Sequence, residues 1–95
     1  LQEIAYYQEL HVIYKFMDKK EIDQLTSLNK PKYQEIVTRL LRVEKHLQVR
    51  KGLDAKHRTK LRDLEKKYFK RCLLENIAYC YFKLGQWSDA IVFYL

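Results

Sequence analysis

The sequence predicts an all-α fold, and three observations predict it. There are only two Gly and one Pro in 95 residues, too few turn formers for a sheet with many hairpins. Apolar residues recur every three or four positions over most of the chain, the period of helices with one buried face. And 47% of the residues are hydrophobic, with eight Tyr and four Phe, which is too apolar and too aromatic for a disordered tail. A chain of this length hides roughly 60–65% of the surface its unfolded form exposes, enough for one modest core. The expected architecture is one module over 1–95 built of antiparallel helical hairpins, with N-terminal helices in 1–53 and a long third helix over 54–84.

Leu1, Ile4, Tyr7, Leu10, Tyr14 and Met17 place one apolar stripe on a first helix of about 1–17. The following segment, 18–29, is polar and then mixed, and Ile22, Leu25 and Leu28 give it at most a turn or two of amphipathic helix. Pro31 marks a fresh start, because its missing N–H costs nothing in a first turn; Asn29 or Lys30 is the residue before that helix. Tyr33, Ile36, Val37, Leu40, Leu41, Val43, Glu44 and Leu47 carry the period on to Gln48, with 36, 40, 43 and 47 on the narrow seam and 33, 37, 41 and 44 widening or leaving it. So broad a stripe suits globular packing better than a two-stranded coiled coil. Gly52 lets the chain turn, and Asp54 can accept the free N–H groups of the next helix.

From Asp54 to Leu84 there is no Pro and no Gly, so one helix of about 30 residues and 46 Å is predicted. Its first half is charged, with a thin stripe at Leu61, Leu64 and Tyr68, and its second half, 73–82, is apolar nearly all round. That change of character predicts a helix embedded at one end and projecting at the other. Gly85 ends it, Ser88 is the expected cap of a fourth helix, and Asp89 adds a negative charge near the same N-terminus. Ala90, Ile91, Phe93, Tyr94 and Leu95 begin that helix without finishing it. With no Met at position 1 either, the chain is expected to be a piece of a longer protein.

The formal net charge is +7, and it is not spread evenly. Residues 50–71 hold ten basic and three acidic side chains, whereas the segments on either side are close to neutral. A uniformly basic nucleic-acid binder would not look like this. On a continuous helix Lys56, Lys60, Lys67 and Arg71 fall on one side, with Lys66 and Lys70 beside them. Such a ridge can meet an acidic peptide, the phosphates of RNA or DNA, or anionic headgroups, or it can simply be a solvated face. No recognition-helix pattern, zinc-finger spacing or RNP-like aromatic strand selects nucleic acid. The opposite face of 54–67 is too thinly apolar for a membrane-lying helix.

Nothing in the chain has the pattern of a catalytic or metal centre. Cys72 and Cys80 belong to no CxxC or Cys/His set, and eight residues of helix hold them about 12 Å apart, too far to bridge. His11, His46 and His57 lie in three different elements. Glu3, Glu9, Glu35 and Glu44 come without the Glu-x-x-His spacing of a carboxylate metal site. Two isolated glycines make no phosphate loop or dinucleotide fingerprint. No enzyme activity, metal or cofactor is therefore expected. No window of 18 apolar residues marks a membrane span, and residue 1 opens no basic-then-apolar leader. Unpaired thiols favour a reducing compartment, the cytoplasm, with the nucleus left open.

The stretch 74–94, LENIAYCYFKLGQWSDAIVFY, resembles a single tetratricopeptide repeat. Leu74 stands where that family has the large residue opening its first helix, Ala78 the small one half-way, Tyr81 the aromatic after it and Gly85 the terminator. Trp87, Ala90 and Tyr94 take the later places. The physics agrees with the pattern: Ala78 and Ala90 remove bulk where two helices cross, Gly85 permits a left-handed residue, and Tyr81, Trp87 and Tyr94 are expected to fill the gaps. The resemblance covers 21 of 95 residues, and no second copy stands upstream. One repeat needs stacked neighbours, so it implies a fragment of an α-solenoid.

The resemblance also implies a role. Asn76 stands where co-chaperone members of the family place an Asn that contacts the acidic C-terminal peptide of a chaperone; the same position also serves structurally, bonding between adjacent repeats. The long helix ahead of the hairpin is similar to those of immunophilin-type co-chaperones. The expected function is a protein-binding scaffold that lays a peptide or helix of a partner along Asn76, Tyr79 and Lys83, with Lys67, Lys70 and Arg71 attracting its acidic part. The alternative is a structural segment of a large complex whose basic ridge contacts RNA.

Overall fold

Six α-helices and one short 3-10 turn make up most of the computed structural model, which describes residues 2–68 and 70–94. They are α1 (Gln2–Phe16), α2 (Lys19–Asp23), α3 (Lys30–Leu47), α4 (Ala55–Tyr68), α5 (Leu73–Lys83) and α6 (Trp87–Tyr94), with the 3-10 turn at Val49–Lys51. No strand occurs among the described residues. Leu1 and Leu95, which the sequence assigns to the first and fourth helices, lie outside them.

The centre is α3. Its Tyr33, Ile36, Val37, Leu40, Val43 and Leu47 are all buried, and it packs against α1 on one side and α5 on the other. The predicted stripe of the first helix holds at Leu10, Tyr14 and Met17, which enter the core with Ile13 beside them, and at Tyr7, which is half-buried against it. Ile4, at 53% exposure, lies on the side of α1 that lines an open cleft against α4. Of the three apolar residues in 18–29, Ile22 is buried, Leu25 half-buried and Leu28 exposed. Asp18 caps α2 through the Lys20 N–H at 2.9 Å. Asn29 ties the loop after it, donating to the Glu21 and Gln24 carbonyls at 3.2 Å each.

The single long helix over 54–84 is not formed. Residues 70–72 are not helical, and α4 and α5 are separate elements. A straight helix of about 46 Å exceeds the 38 Å longest extent of the Cα trace, and it would carry the apolar half away from α3. Breaking it returns Leu73, Ile77 and Cys80 to the core, where each is at most 1% exposed. Tertiary burial overrides a local propensity that contains no breaker. The break is closed by hydrogen bonds: the Lys70 N–H donates to the Glu65 carbonyl at 2.9 Å, and the Lys70 ammonium donates to the Met17 carbonyl at 2.6 Å, capping the end of α1. Burial lowers the pKa of that ammonium.

The other boundaries show how local chemistry sets the turns. Asp54 accepts the His57 N–H at 3.0 Å, as its position before α4 suggested. The turn after α3 begins at Gln48, which is left-handed at φ 52°, before Gly52 at φ 86°. Gly85, at φ 79°, ends α5 in a Schellman motif: its own N–H reaches the Phe82 carbonyl at 3.1 Å, and that of Gln86 the Tyr81 carbonyl at 2.9 Å. The expected cap at Ser88 is corrected: α6 starts at Trp87, the Ala90 N–H bonds the Gln86 carbonyl, and Ser88 sits inside the first turn. Ala78 and Ala90 are both buried where α5 and α6 cross, and Tyr81 packs with Phe93 at 5.9 Å between ring centroids. Trp87, at 65% exposure, and Tyr94 do not fill gaps there; they face outward.

The buried protic groups give the fold an alkaline limit. Desolvation pushes the Tyr33 hydroxyl and the Cys80 thiol up to about 12, and raises that of Tyr14 further. The unfolded chain releases these protons near the ordinary values of 10.0 and 9.0, so above those values it holds fewer protons than the folded chain and stability falls as pH rises. The contribution is whole below pH 9 and is lost progressively towards pH 12. Urea midpoints measured from about pH 8 to about pH 11.5 should fall steadily above pH 9, less steeply in Tyr33→Phe, which has one proton fewer to release.

Candidate functional site

The outer face of α5 is the surface on which the sequence placed its ligand. Helical spacing sends Leu73, Asn76, Ile77 and Cys80 inward, leaving Glu75, Tyr79, Phe82 and Lys83 along the other side. With Arg71 from the break before α5 and Tyr94 from the end of α6, these four line a shallow cleft of about 360 Å³. Phe82 and Tyr94 are each about half exposed.

Tyr79 is the hub of this cleft. The Arg71 guanidinium lies 4.2 Å from its ring centroid, and the Lys83 ammonium 5.7 Å away. Its hydroxyl donates to the carboxylate of Asp23, from the end of α2. That bond, with Lys83 at 3.6 Å from the same carboxylate, holds Asp23 below the usual carboxylate range. Desolvation, and then Asp23 itself, push the Tyr79 hydroxyl up to about 12. The outcome is an aromatic ring oriented by an acid, with a cation over it and another beside it.

Asn76 is not in the cleft but beneath it. It is 3% exposed, and its amide donates to the Tyr14 hydroxyl at 3.1 Å and to the Arg71 carbonyl at 2.5 Å. Both amide hydrogens are thus used inside the protein. The structure brings Tyr79 and Lys83 together on the surface and uses Asn76 to hold the backbone that presents Arg71. A smaller cavity of about 130 Å³ lies on the other side of Arg71 and Tyr79, bounded by Met17, Asp18, Lys70 and Tyr33.

The six residues of the predicted basic ridge do not share one helix. Lys56, Lys60, Lys66 and Lys67 lie exposed on α4, and none of them pairs with a carboxylate among the described residues. Lys70 and Arg71 follow the end of α4, where Lys70 caps α1 and Arg71 turns to Tyr79. The break that overturns the long helix therefore also divides the ridge.

Sequence reasoning missed three pairings across the fold. The Tyr7 hydroxyl and His57 Nδ1 lie 2.6 Å apart, as do the Tyr68 hydroxyl and His11 Nδ1, so two Tyr–His hydrogen bonds join α1 to α4. Tyr6 stacks on His46 at 3.8 Å. Partners 50 and 57 positions apart leave no local signal. Asp23 was likewise invisible, whereas Phe82 was detectable as one apolar residue too many on a helix whose core face was already full. Among the described residues no three His, Cys, Asp or Glu side chains gather as a metal site, and no helix is long and apolar enough to cross a membrane.

Compared with known protein families, curated proteins and solved structures, the chain matches none of them.

Proposed function

We propose that this chain is a protein-interaction module that holds a peptide or helix of a partner protein against the outer face of α5. The observation that supports this most is the cluster at Tyr79, where two cations flank an aromatic surface that Phe82 and Tyr94 extend into solvent. Apolar side chains of a ligand would anchor on Phe82 and Tyr94, while Arg71 and Lys83 would draw in its acidic residues and speed encounter. Asn76 would act from below, by fixing Arg71. In this reading α5 and α6 form a tetratricopeptide-like unit of a scaffold, co-chaperone-like in role. The exposed Trp87, Ile91 and Val92 of α6 would be its stacking face. The free thiols Cys72 and Cys80 suit the reducing cytoplasm.

A second reading rests on the four exposed lysines of α4, none of them paired with a carboxylate among the described residues, which would meet RNA phosphates if the chain were a structural segment of a larger complex. Backbone amide NMR titration separates the two. An acidic C-terminal peptide should give saturable shifts at Tyr79, Phe82 and Lys83 that disappear in Lys83→Glu. Shifts confined to 56–67 with a short RNA, weakening with salt at a slope of about −0.7 per phosphate contact, would replace the peptide reading with the RNA one. No shift with either ligand would leave a module that packs only within its own protein.

A further inference from the structure

We propose that the cleft between α1 and α4 is a separate docking surface, for an amphipathic helix of a partner that carries acidic residues along one flank. The cleft measures about 480 Å³ and shares no lining residue with the α5 site. Ile4, Tyr7 and Val12 of α1 and Leu64 of α4 supply its apolar floor. Ile4 and Val12 are 53% and 41% exposed, on the side of α1 away from the buried Leu10, Ile13 and Tyr14. Eight residues of helix separate them, about 12 Å or two turns, which matches the spacing of anchors on a helix laid in a groove.

The cleft is held in shape at both ends. The Tyr7 and His57 bond closes one end of the α1 and α4 seam, and the His11 and Tyr68 bond the other, so little ordering is left for binding to bring about. The same two tyrosines position cations. The Lys60 ammonium stands 5.2 Å from the Tyr7 ring centroid and that of Lys67 5.6 Å from Tyr68, with Lys56 one turn before Lys60. On that wall Lys60 and Asp63 line the cleft itself, with Lys56 and Lys67 flanking it on the same face of α4, and on the α1 wall the polar lining is Gln8 and His11. Positive charge therefore runs along the α4 side only, which selects an occupant whose flank is acidic and sets its orientation. A phosphate polymer would use the lysines and leave Ile4 and Val12 idle; a flat lipid surface would not enter a concave floor. A chain with this surface and the α5 cleft would hold two partner segments at once.

The test is fluorescence anisotropy of the 95-residue chain with a labelled helical peptide of about 18 residues bearing Leu at three- and four-residue spacing and Glu along one flank. Three controls accompany it: the same peptide with Lys for Glu, the same with Ala for Leu, and a short single-stranded RNA. The acidic amphipathic peptide should bind saturably, and each control about tenfold more weakly or worse. Val12→Asp and the pair Lys60→Glu with Lys67→Glu should each weaken binding about tenfold. Tyr79→Ala should leave it unchanged, which separates this surface from the α5 cleft. Ile4→Gln serves as a second apolar variant should Val12→Asp lose helix content by circular dichroism. Equal binding of the Ala or Lys peptide, RNA binding sensitive to Lys60→Glu but not to Val12→Asp, or no saturable binding of the acidic peptide would each overturn the proposal.

Discussion

Asn76→Asp should destabilise the chain by about 3 kcal/mol, the sum expected for an orphaned buried carbonyl and a carboxylate forced into the core. The Arg71 carbonyl would lose its donor and face negative oxygen in its place, since a carboxylate has no N–H to give. The Tyr14 hydroxyl could turn and donate, which recovers part of the loss. Burial would raise the pKa of the introduced carboxyl, so the folded form would hold its proton more tightly than the unfolded chain. The variant should therefore regain stability as pH falls towards 4 and be weakest at neutral pH. For a domain of this size about 3 kcal/mol lowers the melting temperature by more than about 10 °C. Urea denaturation at two pH values checks both statements. A loss under about 0.5 kcal/mol at pH 7 would mean that Asn76 does not hold the break between α4 and α5.

Tyr33→Ala should cost about 3–5 kcal/mol, because a fully buried aromatic side chain at the centre of α3 is replaced by a cavity that its neighbours cannot fill. The hydroxyl is a smaller part of this. It donates to the Asp18 carbonyl at 2.8 Å, joining α3 to the junction of α1 and α2, so Tyr33→Phe should cost only about 1 kcal/mol. The ratio between the two variants is the informative quantity. Equal losses would show that the junction bond, rather than the packed ring, secures α3 against α1.

What could be read from the sequence was whatever local chemistry dictates. The stripe of α3 contained all six of its buried residues, with Leu41 and Glu44 at its half-buried edge, Asp54 was visible as a cap, and Gly85 as the left-handed end of α5. The break at 70–72 was not readable, because it is imposed by where Leu73, Ile77 and Cys80 must go and not by the residues that break. An error of that kind spreads: once the helix is taken as straight, Arg71 joins a ridge with Lys56, when in the fold it belongs with Tyr79. Tyr79 and Lys83 were legible as outward-facing, since four residues return a helix to nearly the same side. Asn76 was legible as special but not as internal, because an amide in an apolar run serves equally well as a ligand group or as a clasp for the backbone. Asp23, which orients Tyr79 from α2, depended on a tertiary contact that no spacing announces.

The manner in which α4 is attached has a consequence for how this molecule loosens. Leu61 is its one buried residue among those described, with Leu64 and Tyr68 partly buried against the core and the two Tyr and His bonds tying it to α1. Detaching such an element exposes less apolar surface than opening the bundle of α1, α3 and α5, so the opening takes up less heat capacity and responds less steeply to denaturant than global unfolding. The bundle of α1, α3 and α5 would yield only with the whole molecule. The amides of α4 therefore have an escape route of their own, one that urea promotes less than it promotes global unfolding, and the most basic part of the chain is also the part that can leave the fold first.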